Sequence, residues 1–159
     1  MPLELLETMR WTPRDGWYLL DRHLARLEKS ARHFRFVYPA GQIRDALDRA
    51  ARSAEAALRV RLLVADDGTV RVDQTPLDHR EGVWRLRLAA HPVDPSDEFL
   101  YHKTTNRAVY ERACRPDCDD VILWNPAGEV TETTIANLVV EDIDDIDFRG
   151  RRVTPPVAC

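Results

Sequence analysis

Residues 3–34 read LELLETMRWTPRDGWYLLDRHLARLEKSARHF, and a change of period inside this stretch decides the fold class. Leu3 to Thr8 is a short strand, Thr12-Pro13-Arg14-Asp15-Gly16 is a polar turn, and Trp17 to Leu20 is a second strand, which together predict a hairpin. From Leu20 the period becomes helical. Leu20, Leu24, Leu27, Ala31 and Phe34 follow at spacings of 4, 3, 4 and 3 and form one apolar stripe, with Asp21 placed to cap the helix. His23, Arg26 and Ser30 lie on one adjoining line of that helix.

The same alternation continues outward. Ile43, Leu47, Ala50, Ala54 and Ala57 predict a second helix. Leu58 to Ala65 and Thr69 to Gln74 flank Asp66-Asp67-Gly68 as a second hairpin, and Val83 to Ala90 is a further alternating strand. Pro92-Val93-Asp94-Pro95-Ser96-Asp97 interrupts the pattern and predicts a boundary between a lobe at 1–95 and a second lobe beginning at 96. A helix carrying Val109, Tyr110 and Ala113 comes next. Asp120 to Trp124 and Glu129 to Thr131 then flank the turn Asn125-Pro126-Ala127-Gly128, Ile135 to Val140 is a strand, and Glu141 to Asp147 is an acidic loop. Helices set among hairpins, without an alternating βαβ series, predict an α+β fold rather than a doubly wound sheet. The chain has six glycines and no glycine-rich phosphate loop, so a phosphate would be held by side chains and by helix or strand termini.

Composition narrows the class. With 159 residues, 44% hydrophobic and 31% charged, the chain reads as an ordinary globular protein of one core or two small lobes. No apolar run approaches the roughly 20 residues that span a bilayer, and the N-terminus lacks a signal-peptide pattern, so a cytoplasmic location without membrane contact is expected. Three cysteines argue against a disulfide framework, and Cys114 and Cys118 lack the partners of a zinc site, so no metal is expected. Residues 1–61 carry 12 basic and 8 acidic groups and the remainder 11 and 19, which disfavours nucleic acid yet leaves a positive first half suited to an anionic small molecule.

One residue breaks the basic composition. Of 23 basic residues only Lys29 and Lys103 are lysines, and Lys103 sits in DEFLYHKTTNRAVYERA, residues 97–113. An amine can lose its proton when desolvated and attack a carbonyl, which a guanidinium cannot do. His102 beside it is a candidate to tune that amine, and Thr104 and Thr105 are helix N-cap candidates.

Three stretches, LLETMRW with LLDRHLARLEKSARHF, then LYHKTTNR, then GEVTETTIANLVV, together resemble the fold-type IV, or class IV aminotransferase-like, family of pyridoxal-phosphate enzymes. The resemblance covers almost the whole chain and implies a two-lobed, D-amino acid aminotransferase-like fold, usually a homodimer. Residues 96–159 correspond to only the beginning of the cofactor lobe, because relatives continue past the ending VTPPVAC. Within the family, FLYHKTTNR, ETMRW and VTPPVAC are most similar to aminodeoxychorismate lyases, which implies release of pyruvate and 4-aminobenzoate in folate biosynthesis. By the same resemblance Lys103 matches the lysine that holds pyridoxal phosphate as a Schiff base, and Glu132 the carboxylate that pairs with the ring nitrogen. Asn137 repeats the family's five-residue step from that glutamate, and Arg26 matches the arginine that holds the phosphate. Arg10 and Arg61 match substrate-carboxylate positions, Asn106, Arg107 and Tyr110 are further candidates on the helix after Lys103, and Thr133 and Thr134 are candidate hydroxyl donors near the cofactor. A transaminase of the same fold and a non-catalytic fragment stand beside the lyase as alternatives.

Overall fold

The structure, a computed structural model, describes residues 2–52, 54–77 and 82–139. The chain divides into two compact units, the first formed by residues 1–80 with 99–106 and the second by 81–98 with 107–159. The second therefore begins before the expected 95/96 boundary, and the chain crosses back to the first unit for eight residues. Both differences have a backbone cause: residues 86–88 pair with a strand of the second unit, whereas residues 103–105 bond to the first strand of the chain.

In the first unit, β1 (Leu5–Thr12) turns into the short β2 (Gly16–Trp17), then α1 (Leu20–Phe34) and α2 (Ala40–Arg52) precede the hairpin β3 (Leu58–Val64) and β4 (Val70–Pro76). The sheet order is β2-β1-β3-β4, antiparallel throughout, with Leu5 opposite Val64 and Met9 opposite Val60. Alternation sends Leu5, Met9, Val60, Leu62 and Val64 to one face, where they pack on Leu24, Leu27 and Ala31 of α1 and on Ile43 and Leu47 of α2. Full burial of each such leucine contributes about 2 kcal/mol, so this one face supplies the unit's main cohesion. Gly68 closes the β3–β4 turn at φ +86°, and a Cβ there would lie 2.8 Å from Val37 Cγ1, so the position excludes any side chain.

Local expectations met two corrections here. Asp21 does not cap α1: the N-cap is Leu19, in the left-handed region, without a side-chain bond, and Asp21 instead places its charge in the first turn, where it meets the helix dipole. The second helix ends at Arg52, before Ala54 and Ala57, because strand β3 begins at Leu58.

The second unit holds β5 (Leu86–Leu88), α3 (Ala108–Ala113), β6 (Asp120–Trp124) and β7 (Val130–Thr133). Its sheet runs β5-β6-β7, with β5 parallel and β7 antiparallel to the central strand. Central β6 is buried from Asp120 through Leu123, as a strand flanked on both sides requires. Residues 135–139 form no strand, because the Thr133 side chain and main chain bond to Ala136 and curl the segment; Val140, the acidic run 141–147 and the VTPPVAC ending lie outside the described residues. Thr104 and Thr105 do not cap α3, whose N-cap is Arg107. No helix among the described residues is long and apolar enough to cross a membrane.

Candidate cofactor and substrate site

Lys103 is held by main-chain bonds at the end of β1. Thr104 bridges Leu5, Leu6 N donates to Lys103 O at 2.9 Å, and Thr105 N donates to Glu4 O at 2.9 Å. Thr105 also accepts Glu4 N on its hydroxyl, and Thr104 accepts Asn106 N, so both threonines serve the loop that presents the lysine. Because Thr104 shares the core face with Leu5, alternation assigns Lys103 to the opposite face, with Leu6. Lys103 is half-buried.

That opposite face carries the substrate candidates. Thr8 pairs with Arg61 and Arg10 with Arg59, so the two arginines expected from the sequence, Arg10 and Arg61, are diagonal neighbours on it. Arg59 is the residue that sequence reading passed over, and only the strand register reveals it directly opposite Arg10. Two like charges facing each other across a ladder are destabilising, and the Arg10 guanidinium is partly accommodated by lying over the Tyr18 ring at 4.9 Å.

Arg26 stands on the other side of the sheet, on α1. Its Nε and Nη2 donate to the two carboxylate oxygens of Glu7 at 2.7 and 2.6 Å, while His23 Nδ1 lies 2.7 Å from Glu7 Oε2. Glu7 is only 1% exposed and occupies the core face of β1 between Leu5 and Met9. Burial pushes its carboxyl pKa up, but the hydrogen bonds and charges of Arg26 and His23 outweigh burial and hold it below the usual range. The line of His23, Arg26 and Ser30 thus has two buried partners: Glu7 takes the first two, and Ser30 Oγ bonds His102 Nδ1 at 3.0 Å. His102 is buried and stacks on His33, with ring centroids 4.1 Å apart. The signal for Glu7 was present as a charge in the middle of an apolar alternation.

In the second unit, Glu132 accepts a hydrogen bond from Tyr110 Oη at 2.9 Å. Burial and the neighbouring Glu132 charge push the Tyr110 hydroxyl well above its ordinary pKa, so it remains a donor. The Arg107 guanidinium lies 4.5 Å over the Tyr110 ring and its Nη2 donates to Thr134 O. The Tyr110 hydroxyl and the Arg107 guanidinium are thus engaged with Glu132 and Thr134. Thr133 Oγ1 donates to Ala136 O, and Thr134 Oγ1 donates to Asp120 Oδ1, so both hydroxyls are engaged within the unit. Asn137 is exposed beyond β7.

These residue types fit a phosphate-bearing aldehyde: a lysine amine for the carbonyl, a guanidinium set in place by a buried carboxylate for the phosphate, and a carboxylate for a ring nitrogen. Relatives carry the same architecture. A putative aminodeoxychorismate lyase of Schizosaccharomyces pombe is 31% identical over 129 residues, covering 76% of this chain and 56% of its own length, so the chain spans little more than half of that relative. A putative amino-acid aminotransferase from Mesorhizobium loti, solved by crystallography, is 37% identical with a TM-score of 0.76 over 84% of this chain and 67% of its own. A hypothetical aminotransferase from Mycobacterium tuberculosis, solved in a pyridoxal-phosphate-bound form, is 23% identical with a TM-score of 0.64, covering 82% of this chain and 55% of its own, and shares the fold. Residues 4–159 match the profile of the family described as amino-transferase class IV, and with the two-unit fold and these relatives the match establishes that the chain belongs to that family.

Proposed function

We propose that the protein is a pyridoxal-phosphate-dependent 4-amino-4-deoxychorismate lyase that forms 4-aminobenzoate and pyruvate, working as a homodimer. The observation that carries the reading is the placement of Lys103 on the sheet face that also bears Arg10, Arg59 and Arg61. The 31% identity to the fission-yeast relative supports the lyase reading.

When bound, pyridoxal phosphate supplies an aldehyde carbon and a protonated ring that accepts electrons. Lys103 would hold the cofactor through its amine, and the same Nζ, once free, would take the proton from the substrate carbon bearing nitrogen. Glu132 keeps the ring nitrogen protonated, and Tyr110 holds Glu132 in place. Arg26 binds the phosphate. Arg10 and Arg61 take the carboxylates of the anionic substrate, an assignment that suits guanidinium forks. Breaking of the ring C–O bond would release the side chain as an enol, which takes up a proton to become pyruvate, and the ring left behind is aromatic, which makes the reaction favourable.

The 37% identity to the Mesorhizobium loti protein favours a second reading, an amino-acid transaminase acting on branched-chain or D-amino acids, in which Lys103 returns the proton instead. Two assays test the proposal. Borohydride should fix pyridoxal phosphate onto the protein at Lys103, detected by mass, and Lys103→Ala should abolish the label; a label that survives the substitution refutes the site. Pyruvate release from aminodeoxychorismate identifies the lyase, whereas amino transfer to a 2-oxo acid without that release identifies the transaminase.

A further inference from the structure

Among the described residues, Glu7 is a buried charged group that none of these roles uses. It is the only charged residue among the fully buried side chains described, and it sits between Leu5 and Met9 on the face of β1 that builds the apolar core. A carboxylate is retained there only if its charge is matched and its oxygens are hydrogen-bonded, and two side chains of α1, the Arg26 guanidinium and the His23 ring, meet it. Arg26 meets it with the Nε/Nη2 edge of the guanidinium through two parallel bonds, and His23 meets Oε2 from one turn earlier on the same helix.

Such a fork has a consequence for Arg26 beyond charge balance. A guanidinium is planar and rigid, so holding one edge at two points fixes the direction of every other N–H it carries. An arginine on a helix surface otherwise samples many rotamers, and ordering it costs up to about 2 kcal/mol when a ligand must do the work. Here a residue of the core performs that ordering before any ligand arrives. The Arg26 side chain keeps 24% of its surface exposed, so the guanidinium is anchored from inside while part of it stays accessible.

We propose that Glu7 is a positioning residue for anion capture: it fixes the Arg26 guanidinium so that it presents a preorganised donor set to a phosphate monoester, the phosphate of the cofactor. This rests on the assignment of Arg26 to that phosphate under the proposed function. Glu7 does not touch the cofactor and acts only through Arg26. The alternative role for such a carboxylate is purely structural, holding α1 against β1, and it predicts that all ligands weaken together.

Pyridoxal and pyridoxal phosphate separate the two roles, since they share the aldehyde and the ring and differ in the phosphate. Dissociation constants for both are measured on wild type, Glu7→Gln and Arg26→Gln by absorbance titration, with inorganic phosphate as competitor. Glu7→Gln keeps the size, removes the charge and replaces one of the two accepting oxygens by an amide NH2 that cannot accept. It should weaken pyridoxal phosphate roughly tenfold, the scale on which partners outside the ligand sphere tune a bound group, with pyridoxal changed less than about twofold. Inorganic phosphate should become a correspondingly poorer competitor. The double variant with Arg26→Gln should lose no more preference than Arg26→Gln alone. Equal weakening of pyridoxal and pyridoxal phosphate in Glu7→Gln overturns the proposal in favour of the structural role. An unchanged preference in Glu7→Gln, with the preference lost in Arg26→Gln, overturns it as well while leaving Arg26 at the phosphate. If Arg26→Gln itself keeps the full preference, the assignment of Arg26 fails and the proposal falls with it. Should Glu7→Gln not fold, Glu7→Asp retains the charge but draws the carboxylate back by one methylene. The two parallel bonds are then lost and the same phosphate preference should fall; its retention overturns the proposal.

Discussion

Replacing Asp120 should destabilise the second unit in a way that separates a hydrogen-bonding role from one of shape. Asp120 opens β6 and is 5% exposed. Its Oδ1 accepts Val121 N at 2.7 Å, Thr134 N at 3.1 Å and the Thr134 hydroxyl. Thr134 N also reaches Val121 O at 3.0 Å, so that donor keeps a partner when the carboxylate is removed. Asp120→Ala therefore strands two buried donors, Val121 N–H and the Thr134 hydroxyl, at roughly 1–2 kcal/mol each, for a loss of about 3 kcal/mol. Asp120→Asn keeps an acceptor in the same position and loses only the charge reinforcement, about 1 kcal/mol. Urea unfolding followed by tryptophan fluorescence measures both, with Trp124 of β6 as a reporter inside the same sheet. Because Thr134 follows Glu132 by two residues, Asp120→Ala should also weaken cofactor capture, and Asp120→Asn much less. Equal losses for the two variants, or a loss under 0.5 kcal/mol for Asp120→Ala on the scale of ordinary surface substitutions, would refute the reasoning.

Other consequences are open to direct measurement. Gly68→Ala places a Cβ against Val37 at a positive φ and should cost about 2 kcal/mol of stability in denaturant titration, without altering the borohydride label at Lys103. Tyr110→Phe removes the donor to Glu132 and should weaken pyridoxal phosphate and pyridoxal alike, since both carry the ring nitrogen, in contrast to Glu7→Gln. Acid should expose the Glu7 contribution. Its folded-state pKa is depressed, so the stabilisation is present above the unfolded value of about 4.3 and is lost as pH falls through the folded value. The stability difference between wild type and Glu7→Gln should accordingly shrink as the pH is lowered below about 4.3, and a difference that stays constant down to the acid unfolding of the protein would contradict it.

Much of this was legible in the chain itself. The hairpin, the apolar stripe of α1, the Asp66-Asp67-Gly68 turn and the α+β class all follow from local periodicity and turn chemistry, which act over a few residues and so are written in sequence order. Lys103 stood out as one of two lysines among arginines, and the three family stretches named its neighbours. What periodicity could not supply was partnership across distance. Arg59 was indistinguishable from any strand arginine until the β1–β3 register set it opposite Arg10. Glu7 and Arg26 are 19 residues apart, and no local rule joins a strand charge to a helix charge. Tyr110 and Glu132 are 22 residues apart, and only the fold brings the hydroxyl of the one to the carboxylate of the other. The division of the chain also escaped local reading, because the breaker at 92–97 marks where regular structure stops rather than where the fold divides. Residues 81–98 belong with β6 because β5 pairs with it in parallel, and 103–105 belong with β1 because main-chain bonds hold them there. By itself, then, the sequence determined which elements form and which residue types could do the chemistry, since propensity and side-chain chemistry are local properties. Only the tertiary structure decided which face each side chain shares and which charge answers which, because strand register and helix packing are settled by burial summed over the whole unit.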